Sequence, residues 1–362
     1  MSLRKGLILF ILFTFGASGI VLFKSIDEET ISCLINADKR FFLLAFVFML
    51  AAWACDTGRF CALAKAAEEK MSFKMGIILT WLHYFGCAVT PMQSGGGPFQ
   101  VYVLYKKGVP IGKGIAITTI RTMLTVLILT LVVPFALHMN PALLDGNAFI
   151  KGVVRYVFVV ILLTWAFIAF TVISPRIFKR LGKNIALRLR IVKLLSFSNL
   201  KKTCRWLDRE MDNYSANFKM TVSRKGAPYT LLAAALSIVH LLCIFSILPI
   251  LMTAVGLPFE YPKTLIVQAV FMFVLYFIPT PGASGVAEGG GAFLFAMLMP
   301  HNMAGVIAII WRFFTEYISI FMGMAVVIRM LGWDVMEEVS HEDPAIVVAA
   351  KEKAANSYHP LS

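Results

Sequence analysis

Thr90-Pro91-Met92-Gln93-Ser94-Gly95 and Thr280-Pro281-Gly282-Ala283-Ser284-Gly285 share the pattern Thr-Pro-x-x-Ser-Gly, and each interrupts a long apolar stretch. Helix breakers thus stand twice where a membrane helix would otherwise run on. Inside a bilayer every backbone N–H and C=O needs an internal partner, so proline and clustered glycine are tolerated only where broken helix ends face protein or a polar cavity. A matched pair of breaks is the sequence pattern expected at a transport site. The match extends further, because an arginine follows each break within an apolar segment, Arg121 after Pro91 and Arg312 after Pro281.

The surrounding composition fixes the solvent. The 362 residues are 59% hydrophobic and 15% charged, with a mean hydropathy of +0.79, far above that of a soluble domain. An all-α polytopic membrane protein is predicted, with spans at 6–24, 41–64, 75–90, 113–138, 152–174, 228–255, 263–280 and 303–330. Two shorter apolar pieces, 98–106 and 288–299, lie directly behind the breaks. The first span follows Arg4 and Lys5 and reads as a retained helix, since its apolar run is long and no convincing small-x-small cleavage site precedes the charged turn Lys24 to Glu29. The six cysteines are scattered and lack metal-ligand spacing, so no metal and no cofactor is expected.

The net charge of +14 is concentrated. Residues 175–226 hold fourteen Lys/Arg against Asp208, Glu210 and Asp212, which makes this loop cytoplasmic by the positive-inside rule. Its part from Arg176 to Phe197 mixes cations with apolar residues, a composition suited to an anionic lipid surface or to fixing topology alone. Nucleic acid is a poor partner for charges lying between two hydrophobic spans. No P-loop is present, which argues against direct ATP use.

Topology gives the repeat a mechanical meaning. With Arg4, Lys5 and the basic loop inside, the first break becomes a re-entrant hairpin if residues 98–106 return to the side they came from, which keeps Lys106, Lys107 and Lys113 cytoplasmic. Following the chain onward, the second break is entered from the opposite face. Residues 1–331 then form one transmembrane domain whose halves, about 41–138 and 228–330, are related by an inverted pseudo-repeat. Residues 332–362 are a short polar tail. Both termini are expected in the cytoplasm.

Arg121 and Arg312 require a partner or a polar cavity, because an unpaired cation at membrane depth costs at least about 2.5 kcal/mol. Glu288, behind the second break, and Glu316, one turn beyond Arg312, are the carboxylates to pair with them. Asp56 and Arg59, at i and i+3, are expected as a supporting ion pair. The arginines either brace the hairpins or meet a phosphate or carboxylate, aided by the new helix N-termini behind Pro91 and Pro281. Gln93, Ser94, Gly95, Gly96, Gln100, Pro281, Gly282, Ser284 and Gly285 complete the candidate site as hydrogen-bonding or backbone-exposing positions. His83 and His240 have no metal spacing and read as packing residues. Gly282-Ala283-Ser284-Gly285 also fits the G-x-S-G pattern of intramembrane serine proteases, a remote alternative because a nucleophilic serine needs a histidine on a neighbouring helix.

Taken together, the Pro91-to-Gly97 loop followed by Arg121, and the block Pro279-Thr280-Pro281-Gly282-x-x-Gly285-Val286-Ala287-Glu288 followed by Arg312, resemble the flippase-like membrane region of lysylphosphatidylglycerol synthases and its stand-alone relatives. The resemblance covers about residues 4–331. It implies movement of a lipid or lipid-linked head group, an anion by the arginines, between leaflets of a bacterial cytoplasmic (inner) membrane. Membrane phospholipids are the implied partners, together with a lipid-modifying enzyme or a second copy of the chain. Nothing in the sequence matches the soluble aminoacyl-transfer domain of the bifunctional synthases, so no enzymatic activity is expected. Two other functions fit the same residues: an ion-coupled transporter of a small anionic solute, and a scaffold for a lipid-modifying enzyme.

Overall fold

The computed structural model describes residues 3–25, 27–139 and 223–330, with scattered positions between 152 and 221. Most of the span expected at 152–174, the stretch Arg176–Phe197 and the tail 332–362 lie outside the described residues. The described residues are helical and contain no strand. In chain order they form α1 (Leu3–Ser25), α2 (Glu28–Ile35), α3 (Lys39–Ala66), α4 (Phe73–Val89), α5 (Gly96–Lys106) and α6 (Ile111–Met139). There follow α7 (Ala227–Ala254), α8 (Tyr261–Leu275), α9 (Val286–Phe295), α10 (His301–Arg312), a π-helical turn (Phe313–Tyr317) and α11 (Ile318–Met330).

Among the described residues, four helical stretches are long and apolar enough to cross a membrane: Lys39–Ala66, Ile111–Val132, Ala227–Ala254 and His301–Arg329. Between them stand shorter apolar helices, among them α4, α8 and α9. Large apolar side chains such as Phe15, Phe23, Leu43, Leu131 and Leu231 are exposed on the outside, as a bilayer-facing surface requires and water would not favour. The charged turn read at Lys24 to Glu29 instead opens helix α2. Asp27 caps it by accepting a hydrogen bond from the Thr30 N–H at 2.7 Å. Bonding to Thr30 holds this carboxyl below the usual carboxylate range.

The spine is the antiparallel pair α3 and α7. Lys65, at the end of α3, lies 4.9 Å from the ring centre of Tyr229 at the start of α7, and the Asp38 N–H before α3 donates to the Ala254 carbonyl at the end of α7, 2.9 Å away. Met49 and Trp53 of α3 share a buried core with Leu248 and Met252 of α7. These contacts define two ends of the bundle, one marked by Lys65 and the other by Asp38.

Each break sits at the tip of a helical hairpin, α4 with α5 and α8 with α9. The hairpins open toward opposite ends. The segment before α4 and the end of α5 reach the lysine end, where Lys70, Lys74 and Lys107 line one groove with Lys65. By contrast α8 follows the Asp38 end of α7, and Asn302, just after α9, donates to Asp27 at 3.0 Å beside α2.

Candidate functional site

The two hexapeptides fold alike. In each, the serine hydroxyl donates to the carbonyl of its own proline, Ser94 to Pro91 at 2.9 Å and Ser284 to Pro281 at 2.7 Å. The two x positions are left-handed in both, with φ of 54° and 52° at Met92 and Gln93, and 59° and 53° at Gly282 and Ala283. That backbone is disfavoured for side chains such as Met, Gln and Ala, and it persists only where the surroundings enforce it. Here the enforcing partner is the other break. Pro91 and Pro281 form an antiparallel bridge, the Met92 N–H donates to the Ile278 carbonyl at 3.2 Å, and the Gly282 N–H donates to the Cys87 carbonyl at 3.1 Å. Backbone groups released by one break are thus satisfied at the other, which is what a water-poor interior demands. Gly282 allows the approach, since a Cβ there would lie 2.9 Å from the Phe10 ring and 3.1 Å from Ala88 Cα.

An ionic cluster flanks this junction on each side. In the first, Asp56 is fully buried and accepts two hydrogen bonds from Arg121, Nε to Oδ1 at 2.9 Å and Nη2 to Oδ2 at 2.7 Å. Arg59 Nε also donates to Asp56 Oδ1, while Arg59 Nη1 donates to Thr125 at 2.8 Å. Two guanidiniums against one carboxylate leave a formal +1. The expected pair of Asp56 with Arg59 is present, but Asp56 is also the partner of Arg121.

The second cluster carries the opposite balance. Arg312, fully buried, lies 3.5 Å from Glu288 Oε1 and 3.3 Å from Glu316 Oε2, one cation against two carboxylates. Its Nη2 donates to the Gly282 carbonyl of the break at 3.2 Å, and its Nη1 is buried without a hydrogen-bond partner among the described residues. Glu288 Oε2 accepts from the Gly285 N–H at 2.6 Å, capping α9, and Glu288 Oε1 accepts from the Tyr317 hydroxyl at 2.7 Å. Seven residues after Pro91, where the second repeat has Glu288, stands Pro98, so the first hairpin lacks this cap. Glu316 and Tyr317 lie in the π-helical turn, a distortion frequent at functional sites.

Between the clusters is a cavity of about 70 Å³, room for a few waters. Arg59 and Arg121 line it from one side and Glu316 from the other, with Gln93 and Gly282 contributed by the two breaks. His83 and His240 line it as well. Sequence reading treated both histidines as packing; no spacing links them, since they meet only through the fold. The remaining candidates stand behind this lining. Gln100 is buried and donates to the Leu79 carbonyl at 2.9 Å, bracing α5 on α4. Ser94, Gly95, Gly96, Pro281, Ser284 and Gly285 shape the turns. The Ser284 hydroxyl has no histidine among its hydrogen-bond partners in the described residues.

Comparison with known proteins gives two findings. The family model described as Lysylphosphatidylglycerol synthase TM region matches residues 6–323. A UPF0104 membrane protein of Archaeoglobus fulgidus is 24% identical over 310 residues, which are 84% of this chain and 90% of that protein.

Proposed function

Because the chain belongs to the family of the lysylphosphatidylglycerol synthase transmembrane region, we propose that it is a non-enzymatic translocase moving a lipid or lipid-linked anionic head group between leaflets. The two hairpins act as re-entrant elements entered from opposite faces of the cytoplasmic membrane, with the lysine end and both termini in the cytoplasm. The observation that carries the proposal is the backbone junction of the two breaks beside a cavity lined by Arg59, Arg121 and Glu316. A phosphate reaching this cavity meets the cluster of formal +1, and the opposing cluster of formal −1 supplies the carboxylate against which a cationic head-group atom or a proton can be exchanged. At about 70 Å³ the cavity is smaller than a head group, since ligand pockets are typically about 300–1,000 Å³. The conformation is therefore an occluded one, and rocking of the halves opens it to either side.

A second reading, an ion-coupled transporter of a small anionic solute, draws its support from that small volume. The two separate in one assay. Fluorescent phospholipids in proteoliposomes are followed by dithionite quenching, comparing wild type with Glu316→Gln and Arg121→Lys at matched reconstitution and matched elution profiles. Accelerated leaflet exchange by the wild type that falls at least about tenfold in both variants supports the translocase, on the scale of a lost charge-assisted contact. Absence of exchange by the wild type with anionic and zwitterionic lipids alike refutes it. Exchange untouched by either substitution refutes the assignment of the site and routes the lipid elsewhere in the bundle, whereas a scaffold that serves a lipid-modifying enzyme shows no exchange at all.

A further inference from the structure

A second and larger concavity lies at the lysine end, a groove of about 1460 Å³ formed by α3, α4, α5, α6 and α11. Its walls are apolar, with Ile78, Trp81, Leu104, Ile117 and Val326 among them, and its charged lining residues are Lys65, Glu69, Lys70, Lys74, Lys107 and Arg329. Glu69, the one acid, is held by Lys113 at 2.8 Å, and Lys65 lies over Tyr229. Lys70, Lys74, Lys107 and Arg329 form no ion pair with any described residue. Four cations without an acidic partner among the described residues therefore surround a trough of hydrocarbon side chains.

The groove and the central cavity follow one track. On α4, Lys74, Ile78 and Trp81 line the groove, and Tyr84 and Ala88, farther along the same helix face, line the cavity. On α6, Ile117 lines the groove and Arg121 and Thr125, one and two turns on, line the cavity. About one helical turn, some 5.4 Å, separates the floor of one space from the other.

We infer that this groove is the loading site for an anionic phospholipid, its phosphate among Lys70, Lys74, Lys107 and Arg329 and its upper acyl chain along Ile78, Trp81 and Ile117. A soluble phosphate would use the cations and leave the apolar walls unexplained. A zwitterionic head group would bring an ammonium to a rim whose single carboxylate is already paired. The inference rests on the translocase reading for its purpose, though not for its chemistry.

Trp81 supplies the readout. Full-length protein in detergent micelles is titrated with phosphatidylglycerol and with phosphatidylcholine carrying the same brominated chains, and quenching of Trp81 is taken as the difference between wild type and Trp81→Phe. Quenching by phosphatidylglycerol at a concentration at least about tenfold lower is expected, as is loss of that preference in Lys74→Gln/Lys107→Gln, on the scale of two cations near a lipid phosphate. Equal quenching by both lipids, an intact preference in the double variant, or no quenching of Trp81 by either lipid overturns the site. Displacement by inorganic phosphate at concentrations matching the lipid overturns the lipid assignment in favour of a free anion. Selective binding without leaflet exchange sinks the translocase and leaves the groove standing, whereas exchange without selective binding does the reverse.

Discussion

Asp56 is the residue on which the first cluster turns, because one carboxylate holds two buried guanidiniums. Removing one partner of a buried pair costs roughly 3–5 kcal/mol, since the other charge is left without compensation. Asp56→Asn strands both arginines and is expected to lower the thermal midpoint in detergent more than Arg59→Gln, which leaves the two hydrogen bonds from Arg121 in place. Equal midpoints for the two variants would mean that Arg121 is held by something other than Asp56. How much of this was legible follows from the spacing. Arg121 and Arg312 stood out because cations are rare in apolar segments, and Glu316 could be assigned to Arg312 because i and i+4 share a helix face. Asp56 was assigned to Arg59 by the same local rule. Its bond to Arg121, across 65 residues, follows from the packing of α3 against α6, which no spacing encodes.

At the scale of elements, the breaks were legible because proline and glycine act locally, and the same six-residue pattern gives the same turn twice. Their mutual contact and the π-helical turn were not. The turn contains Phe313, Phe314 and Thr315, residues equally at home in an ordinary helix, and its extra residue answers to the packing around Arg312 and Glu316. Helix α2 was missed although Asp27 before Glu28 is a capping signal, because only eight residues follow before the chain turns. The breaks themselves can be probed with two glycines. Gly282→Ala forces a side chain into a left-handed position against Phe10 and Ala88 and is expected to destabilise by about 1–3 kcal/mol. Gly289→Ala, within α9 and facing open space, is expected to be neutral or to gain roughly 0.5–1 kcal/mol from helix propensity. Thermal midpoints of both variants in one detergent check the contrast. A Gly282→Ala protein as stable as wild type would show that the two hairpins separate readily at their tips.

For the whole molecule, hairpins that open toward opposite ends place two helix breaks back to back beside one cavity, with a formal +1 cluster on one side and a formal −1 cluster on the other. A fixed scaffold and a moving gate both satisfy that arrangement, and they differ in whether the junction must part. The Met92 N–H donates to the Ile278 carbonyl at 3.2 Å, so the two backbones meet there, and a cysteine at each position tests whether the tips can be joined, with disulfide formation checked first by thiol titration. Met92→Cys/Ile278→Cys is therefore best made with the native cysteines replaced, because the Cys87 thiol donates to the Gln93 carbonyl at 3.2 Å and would compete for the bridge. If the halves rock past each other, oxidation should abolish leaflet exchange in proteoliposomes and reduction should restore it, while the reduced pair exchanges like its cysteine-free parent. Exchange that continues with the tips covalently joined would place the lipid's route outside the junction, along the flanks of the hairpins, and would leave the paired breaks as the fixed pivot around which other helices move.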